Sequence, residues 1–319
     1  MKIVLLDAYT LNHGDLSWDP LISLGEVTIY DYTTLEDLGE RAADAEIVVV
    51  NKFLINKESL DIMPNVKYVI VTATGYNNVD PTAVRNRKIS VSNVRGYSTQ
   101  SVAQHVFSCL LNDYNKTEHY QSRVDDGAWV ACRDFCFYDH SIGDLAGKTI
   151  GILGFGDIGK KVAKIANAFD MNVIVHTRST LNAVDQSSHV KQVDKATLLN
   201  DSDIVTLHAP LNDGTSDFIN ALTLSKMKPN AILINTARGG LVNELDLAQH
   251  LNNNAGFKAY VDVLSKEPPL VANSLLGLEN CKVTPHIAWA SKDARALLLQ
   301  STADNIKSYQ SGNLKNIVL

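Results

Sequence analysis

The chain lacks what would tie it to an oxidising compartment, a membrane or a nucleic acid. It has four cysteines in 319 residues, too few for a disulfide framework, and Cys132 and Cys136 have no second ligand pair of the kind a structural zinc needs. Ordinary reduced thiols and no metal are expected. No stretch approaches the roughly 20 apolar residues that span a bilayer. The opening MKIVLLDAYT reaches Asp7 too early for a signal-peptide core, so a cytoplasmic protein is expected. Basic residues form no long run, and 29 Lys and Arg against 35 Asp and Glu leave a net charge of −6. Nucleic acid and anionic membranes require a concentrated positive surface, so neither is expected as a partner. Polar low-complexity blocks are missing too, which argues against disorder. Small molecules are the remaining class of partner.

A hydrophobic share of 45% is that of an ordinary globular protein, and the length suggests two domains. Short β-rich runs alternate with helical patterns almost from end to end, the pattern of βαβ units in doubly wound parallel sheets, so the expected class is α/β. Strands are expected at Lys2 to Leu6, Val27 to Tyr30, Ile47 to Val50, Val66 to Thr72 and Ile89 to Ser92. Val102, Val106, Cys109, Leu110, Tyr114 and Thr117 recur at spacings of three and four, which predicts one long amphipathic helix from Ser98 to about Arg123. A second series opens at Thr149 and continues through Val173 to His176, Ile204 to Leu207, Ala231 to Asn235, Ala259 to Val263 and Cys281 to Val283. A last helix, Asp293 to about Ser311, is expected to return to the first domain. The plan is therefore a substrate domain over residues 1–97 plus 291–319, and a dinucleotide domain over residues 98–290.

Within the second series, Gly154, Phe155, Gly156, Asp157, Ile158 and Gly159 follow a strand and open a helix. There the first glycine allows a tight turn, the second lets the backbone approach a pyrophosphate, and the third lets helix and strand pack closely. The residue that accepts the adenosine ribose should end the next strand. Eighteen residues beyond Gly159 stand Thr177, Arg178 and Ser179. With no carboxylate for a ribose 2′-hydroxyl, and with Arg178 available to a 2′-phosphate, NADP(H) is the expected cofactor, and NAD(H) stays open. Arg238, Glu267 and His286 each follow a strand end, the edge where open α/β sheets bind ligands. A guanidinium can hold a carboxylate bidentately, an imidazole is a proton donor near neutral pH, and a carboxylate beside that imidazole fixes its tautomer. The set suits reduction of a 2-keto acid.

ATGYNNVD (73–80), GYSTQSVAQHVFSCLL (96–111), LGFGDIG (153–159), NTARGGLVNE (235–244), VDVLSKEPP (261–269) and TPHIAWAS (284–291) resemble signatures of the D-isomer-specific 2-hydroxyacid dehydrogenase family, in family order. ATGYNNVD and HIAWAS resemble its glycerate dehydrogenase (hydroxypyruvate reductase) branch. The resemblance implies that NAD(P)H reduces hydroxypyruvate or glyoxylate to D-glycerate or glycolate. In that scheme Arg238 binds the substrate carboxylate, His286 is the acid/base and Glu267 is its partner. It further implies that the backbone around Thr74, Gly75 and Tyr76 holds the substrate, that Thr236, Ala237 and Asp262 meet the nicotinamide end, that His208 lines the cofactor groove, and that the protein is a homodimer. The chain departs from the family pattern at Gln104, where Glu is usual, and at Thr177, where NAD-preferring members have Asp. D-lactate or 3-phosphoglycerate as substrate, or a non-catalytic dinucleotide sensor of the same fold, are the rival readings.

Overall fold

The computed structural model describes residues 1–181 and 189–319. They form two compact units, Met1–Ser98 with Trp289–Leu319, and Thr99–Ala288.

In the first unit, β1 (Lys2–Leu5), β2 (Glu26–Ile29), β3 (Ile47–Val50), β4 (Tyr68–Val71) and β5 (Ser90–Ser92) lie in the order β2-β1-β3-β4-β5, all parallel. β3 (IVVV) and β4 (YVIV) are buried at every position, as strands covered on both faces must be. One face packs Val4, Val48 and Val69 against Leu38, Leu60 and Val84 from the crossover helices. The other packs Ile3, Ile47 and Ile70 against Leu299, Ala303 and Ile306 of the helix Lys292–Gln310. That helix is thus part of the first unit, and each buried Ile or Leu contributes about 1.5–3 kcal/mol. Beyond it the tail returns to the sheet edge, where Val318 N donates to Val91 O and Val91 N donates to Leu319 O.

The second unit holds β6 (Thr149–Leu153), β7 (Asn172–His176), β8 (Val190–Gln192), β9 (Ile204–Leu207), β10 (Ile232–Asn235), β11 (Lys258–Val261) and β12 (Cys281–Val283). Their order is β12-β11-β10-β9-β6-β7-β8, again parallel throughout. The chain winds outward from β6 in one direction as far as β8 and in the other from β9, so the switch point lies between β6 and β9. β8 has no counterpart among the expected strands. It is a three-residue edge strand, VKQ, with two residues exposed, and so leaves no apolar run to read.

The expected long helix after Ser98 is instead two, Thr99–Asn115 and Thr117–Asp125, with Lys116 between them in the left-handed region at φ 51°. The first buries Val102, Val106 and Leu110, whereas the second buries nothing. Helical continuity in proteins comes chiefly from a packed face, and here that face ends at the break. Lys116 Nζ donates back to Asp113 O at 3.0 Å, holding the turn.

Candidate active site

Gly154 leaves β6 at φ 86°, and a Cβ there would stand 2.7 Å from His208 O and 2.8 Å from Ala209 N at the end of β9. Only glycine permits that approach. A Cβ on Gly159 would fall 2.3 Å from Gly154 O, so the helix Asp157–Ala168 can start against the turn only without a side chain. Gly156 faces open space, and no side chain caps this helix. Its first N–H groups, including those of Asp157 and Ile158, therefore have no side-chain cap among the described residues, which is how a helix start receives a phosphate. The Ile158 side chain packs against the core of the sheet.

His208 ends β9 with Nε2 2.9 Å from Thr206 Oγ1. Burial pushes its basicity down, to a pKa of about 3, so the ring is neutral. Its Nδ1 and the Oγ1 of Thr236, at the end of β10, are buried without a hydrogen-bond partner among the described residues. Two orphaned polar atoms at the carboxyl ends of β9 and β10 fit the lining of a dinucleotide groove. Thr236 also borders a cavity of ≈ 20 Å³, with room for one water.

Thr177, Arg178 and Ser179 follow β7. Gln192 of β8 donates from Nε2 to both Thr177 O and Ser179 O at 3.1 Å and accepts from Leu181 N at 3.1 Å. Arg178 thus stands exposed between two anchored residues. Nothing in the sequence singles out Gln192, because its role depends on the edge strand β8.

Arg238, Glu267 and His286 come from the loops after β10, β11 and β12, which are successive strands of the sheet. His286 Nδ1 lies 2.7 Å from Glu267 Oε2, and Glu267 Oε1 accepts Leu264 N at 2.9 Å. With Nδ1 committed to a carboxylate, Nε2 is left to exchange protons. His286 sits in the left-handed region at φ 55°, uncommon for a residue with a side chain. Asp262 holds it there. Its main-chain oxygen accepts His286 N at 2.8 Å, and its carboxylate accepts Thr284 Oγ1 at 2.6 Å, Ile287 N at 2.9 Å and Ala288 N at 2.8 Å. Asp262 is thus first a clamp on the His286 loop, and Oδ2 keeps one acceptor position.

Asn235 clamps the Arg238 turn in the same manner, accepting Ala237 N at 3.1 Å and donating to Arg238 O at 2.9 Å. The half-buried guanidinium donates to Ala237 O at 2.7 Å.

Thr74, Gly75 and Tyr76 lie in the first unit, in the loop that leaves the carboxyl end of β4. Thr74 Oγ1 donates to Val94 O at 3.2 Å, Asn93 Nδ2 donates to Thr74 O at 2.6 Å, and Tyr76 packs on the core. At the same edge Asp7, after β1, accepts the N–H groups of Asn51, Lys52 and Phe53. Burial raises the pKa of its carboxyl, and those bonds partly offset the rise. In the sequence Asp7 is only the polar end of an apolar run. In the second unit His119, Asp139 and His140 place one donor atom each within 4.8 Å. Asp139 already pairs with His119 at 2.7 Å and Arg123 at 3.3 Å, so its charge is satisfied by protein.

The profile described as "D-isomer specific 2-hydroxyacid dehydrogenase, NAD binding domain" matches residues 107–288. The chain is 39% identical over 321 residues to a hydroxypyruvate reductase of Blautia hydrogenotrophica, covering 100% of this chain and 99% of that one. It is also 39% identical over 320 residues to a glycerate dehydrogenase of Methylorubrum extorquens, covering 99% and 98%. Among solved structures, an acyclic imino acid reductase in complex with NADPH and D-Arg aligns with a TM-score of 0.86 at 32% identity over the whole of both chains. A glycine turn between strand and helix, a carboxylate-paired histidine and relatives at this identity over nearly the whole of both chains agree: the chain belongs to the D-isomer-specific 2-hydroxyacid dehydrogenase family.

Proposed function

We propose that this enzyme reduces hydroxypyruvate and glyoxylate to D-glycerate and glycolate, using NADPH at least as well as NADH. The observation that carries the reading is the 2.7 Å pair of His286 and Glu267, set on the loops after β12 and β11, with Arg238 on the loop after the next strand, β10. Arg238 binds the substrate carboxylate with its planar fork and offsets the negative charge that develops on the carbonyl oxygen. Glu267 keeps the Nδ1 proton in place and stabilises the imidazolium, so that Nε2 of His286 gives its proton to that oxygen. In the first unit the backbone of Thr74, Gly75 and Tyr76 is assigned to substrate binding.

A bound reduced nicotinamide dinucleotide supplies the hydride that C2 receives. Gly154, Gly156, Asp157, Ile158 and Gly159 would cradle its pyrophosphate. His208, Thr236, Ala237 and the remaining acceptor of Asp262 would line its nicotinamide half. Thr177 brings no carboxylate to repel a 2′-phosphate, and Arg178 with Ser179 would receive one. The relative solved with NADPH supports that choice.

The unit is assigned to a homodimer, supported by Trp129, Val130, Phe135 and Tyr138, all more than half exposed. A cytoplasmic location is supported by four unpaired cysteines. No helix among the described residues is long and apolar enough to cross a membrane.

The test is turnover of hydroxypyruvate, glyoxylate, pyruvate and 3-phosphohydroxypyruvate with each cofactor, beside His286→Ala. Hydroxypyruvate or glyoxylate should give the highest kcat/KM, and the variant should lose roughly 10²–10⁴ in turnover while still binding NADPH. Preference for another acid refutes the substrate, and near-normal turnover of His286→Ala refutes the mechanism.

A further inference from the structure

Glu267 comes from a segment that packing does little to place. Every residue from Ser265 to Ala272 is exposed, Val271 almost completely, and burial resumes only at Leu264 on one side and Leu275 on the other. A segment with so few buried contacts takes its position from hydrogen bonds. Three bonds at its two ends converge on one residue.

Glu244 is the first residue of the helix Glu244–Asn253. A carboxylate there ordinarily serves the helix start, by charge or by reaching back to the capping residue. Here both oxygens leave the helix. Oε1 accepts Ser265 N at 2.6 Å, Oε2 accepts Asn273 Nδ2 at 2.6 Å, and the main-chain oxygen of Glu244 accepts Ser274 Oγ at 3.3 Å. Asn273 is fixed in turn, since its Oδ1 accepts Leu275 N at 3.0 Å. One carboxylate therefore holds both ends of the exposed segment. The peptide it grips, Ser265 N, adjoins Leu264 N, which donates to Glu267 Oε1.

Glu244 also stands close to Arg238 in the chain. Between them the turn Gly239–Leu241 is locked by Asp217 N to Gly240 O and Ile219 N to Leu241 O, and Asn243 N donates to Ile219 O. Gly239 meets the same loop, because a Cβ on it would fall 2.0 Å from Leu264 C and 2.2 Å from Ser265 N. The Arg238 turn and the Glu267 turn are thus built against each other, with Glu244 as their polar fastening.

We infer that Glu244 is a positioning residue for the reaction: its carboxylate sets the turn from which Glu267 orients His286 and fixes that turn relative to Arg238. This rests on the proposed roles of those three residues. Glu244 touches neither substrate nor cofactor in this account; it acts through Glu267.

The experiment measures kcat and KM for hydroxypyruvate across pH for Glu244→Ala and Glu244→Gln, with melting temperature and NADPH affinity alongside. Glu244→Ala should lower kcat on the order of tenfold or more, in keeping with roughly 10²-fold for a full ångström of misplacement. It should change KM less than kcat, leave NADPH affinity near wild type, and move the alkaline fall-off of reduction to lower pH, as loss of the Glu267 contact would. Glu244→Gln keeps an oxygen for Ser265 N and should recover most of kcat. Asn273→Ala, which removes one tie only, gives a milder loss in the same direction and supplies the test if Glu244→Ala does not fold. A lower melting temperature with kcat and pH profile unchanged makes Glu244 merely structural and overturns the inference. If His286→Ala is inactive while the Glu244 variants match wild type, this inference alone fails; an active His286→Ala overturns it together with the site on which it rests.

Discussion

Gly239→Ala tests whether the geometry of two adjacent turns governs turnover. The added Cβ would lie 2.0 Å from Leu264 C, 2.2 Å from Leu264 O and 2.2 Å from Ser265 N, and real Cβ contacts essentially never fall under 3.0 Å. Those neighbours are backbone and cannot swing aside, so the two turns must separate by at least about 1 Å. That movement carries Arg238, the residue before Gly239, away from the peptides that hold Glu267 Oε1 and Glu244 Oε1. A misplacement of about 1 Å costs roughly 10²-fold in rate. Overpacking by one methyl in a closed site costs about 1–3 kcal/mol of stability, so the variant should still fold. The glycine turn after β6 lies on another part of the sheet edge, whereas Thr236 and Ala237 belong to the displaced turn, so cofactor affinity should fall, but by less than kcat/KM. The assay is loss of reduced-nicotinamide absorbance at saturating NADPH across hydroxypyruvate concentrations, with NADPH binding followed by fluorescence and folding by thermal melt. A folded variant whose kcat/KM stays within about threefold of wild type would show that the turns can part without consequence.

Three further outcomes follow from single contacts. Glu267→Gln removes the negative charge 2.7 Å from His286 Nδ1, so the imidazolium loses its partner and reductive turnover should fall off at lower pH; an identical pH profile takes Glu267 out of the pair. Arg178→Ala should weaken NADPH binding on the order of tenfold or more, the equivalent of a charge-assisted bond of about 1.5–3 kcal/mol, with NADH little affected. Equal losses for both cofactors would assign the preference elsewhere. His208 is buried neutral with its pKa lowered from 6.5 to about 3. The unfolded chain therefore takes up a proton below 6.5 that the folded chain refuses, and stability from this group is complete above 6.5 and declines as pH falls toward 3. Titrated by denaturant unfolding, His208→Asn should lose up to about 1.4 kcal/mol less per pH unit than wild type over that window; parallel curves would contradict this.

Local sequence determined every strand of both sheets but β8, the glycine turn and the position of Arg238, Glu267 and His286 after strand ends, because β-branched runs such as IVVV and a glycine-rich turn between strand and helix are read within a few residues. It could not show that the helix after Ser98 ends at Asn115, since continuity there depends on which face finds a partner, nor that VKQ is a strand, since an edge strand with exposed residues has no periodicity. The supports of the site belong to the tertiary structure alone. Asp262 reads as the polar end of a strand and becomes the clamp that holds His286 at φ 55°. Glu244 reads as a helix-start carboxylate and becomes the fastening of an exposed loop 21 residues further along the chain. Gln192 reads as a surface amide and ties down the turn around Arg178. Each donates or accepts hydrogen bonds across segments that meet only when the sheet is assembled. A side chain's chemistry is written in its own position, whereas its partner is chosen by the register and order of strands far from it in sequence.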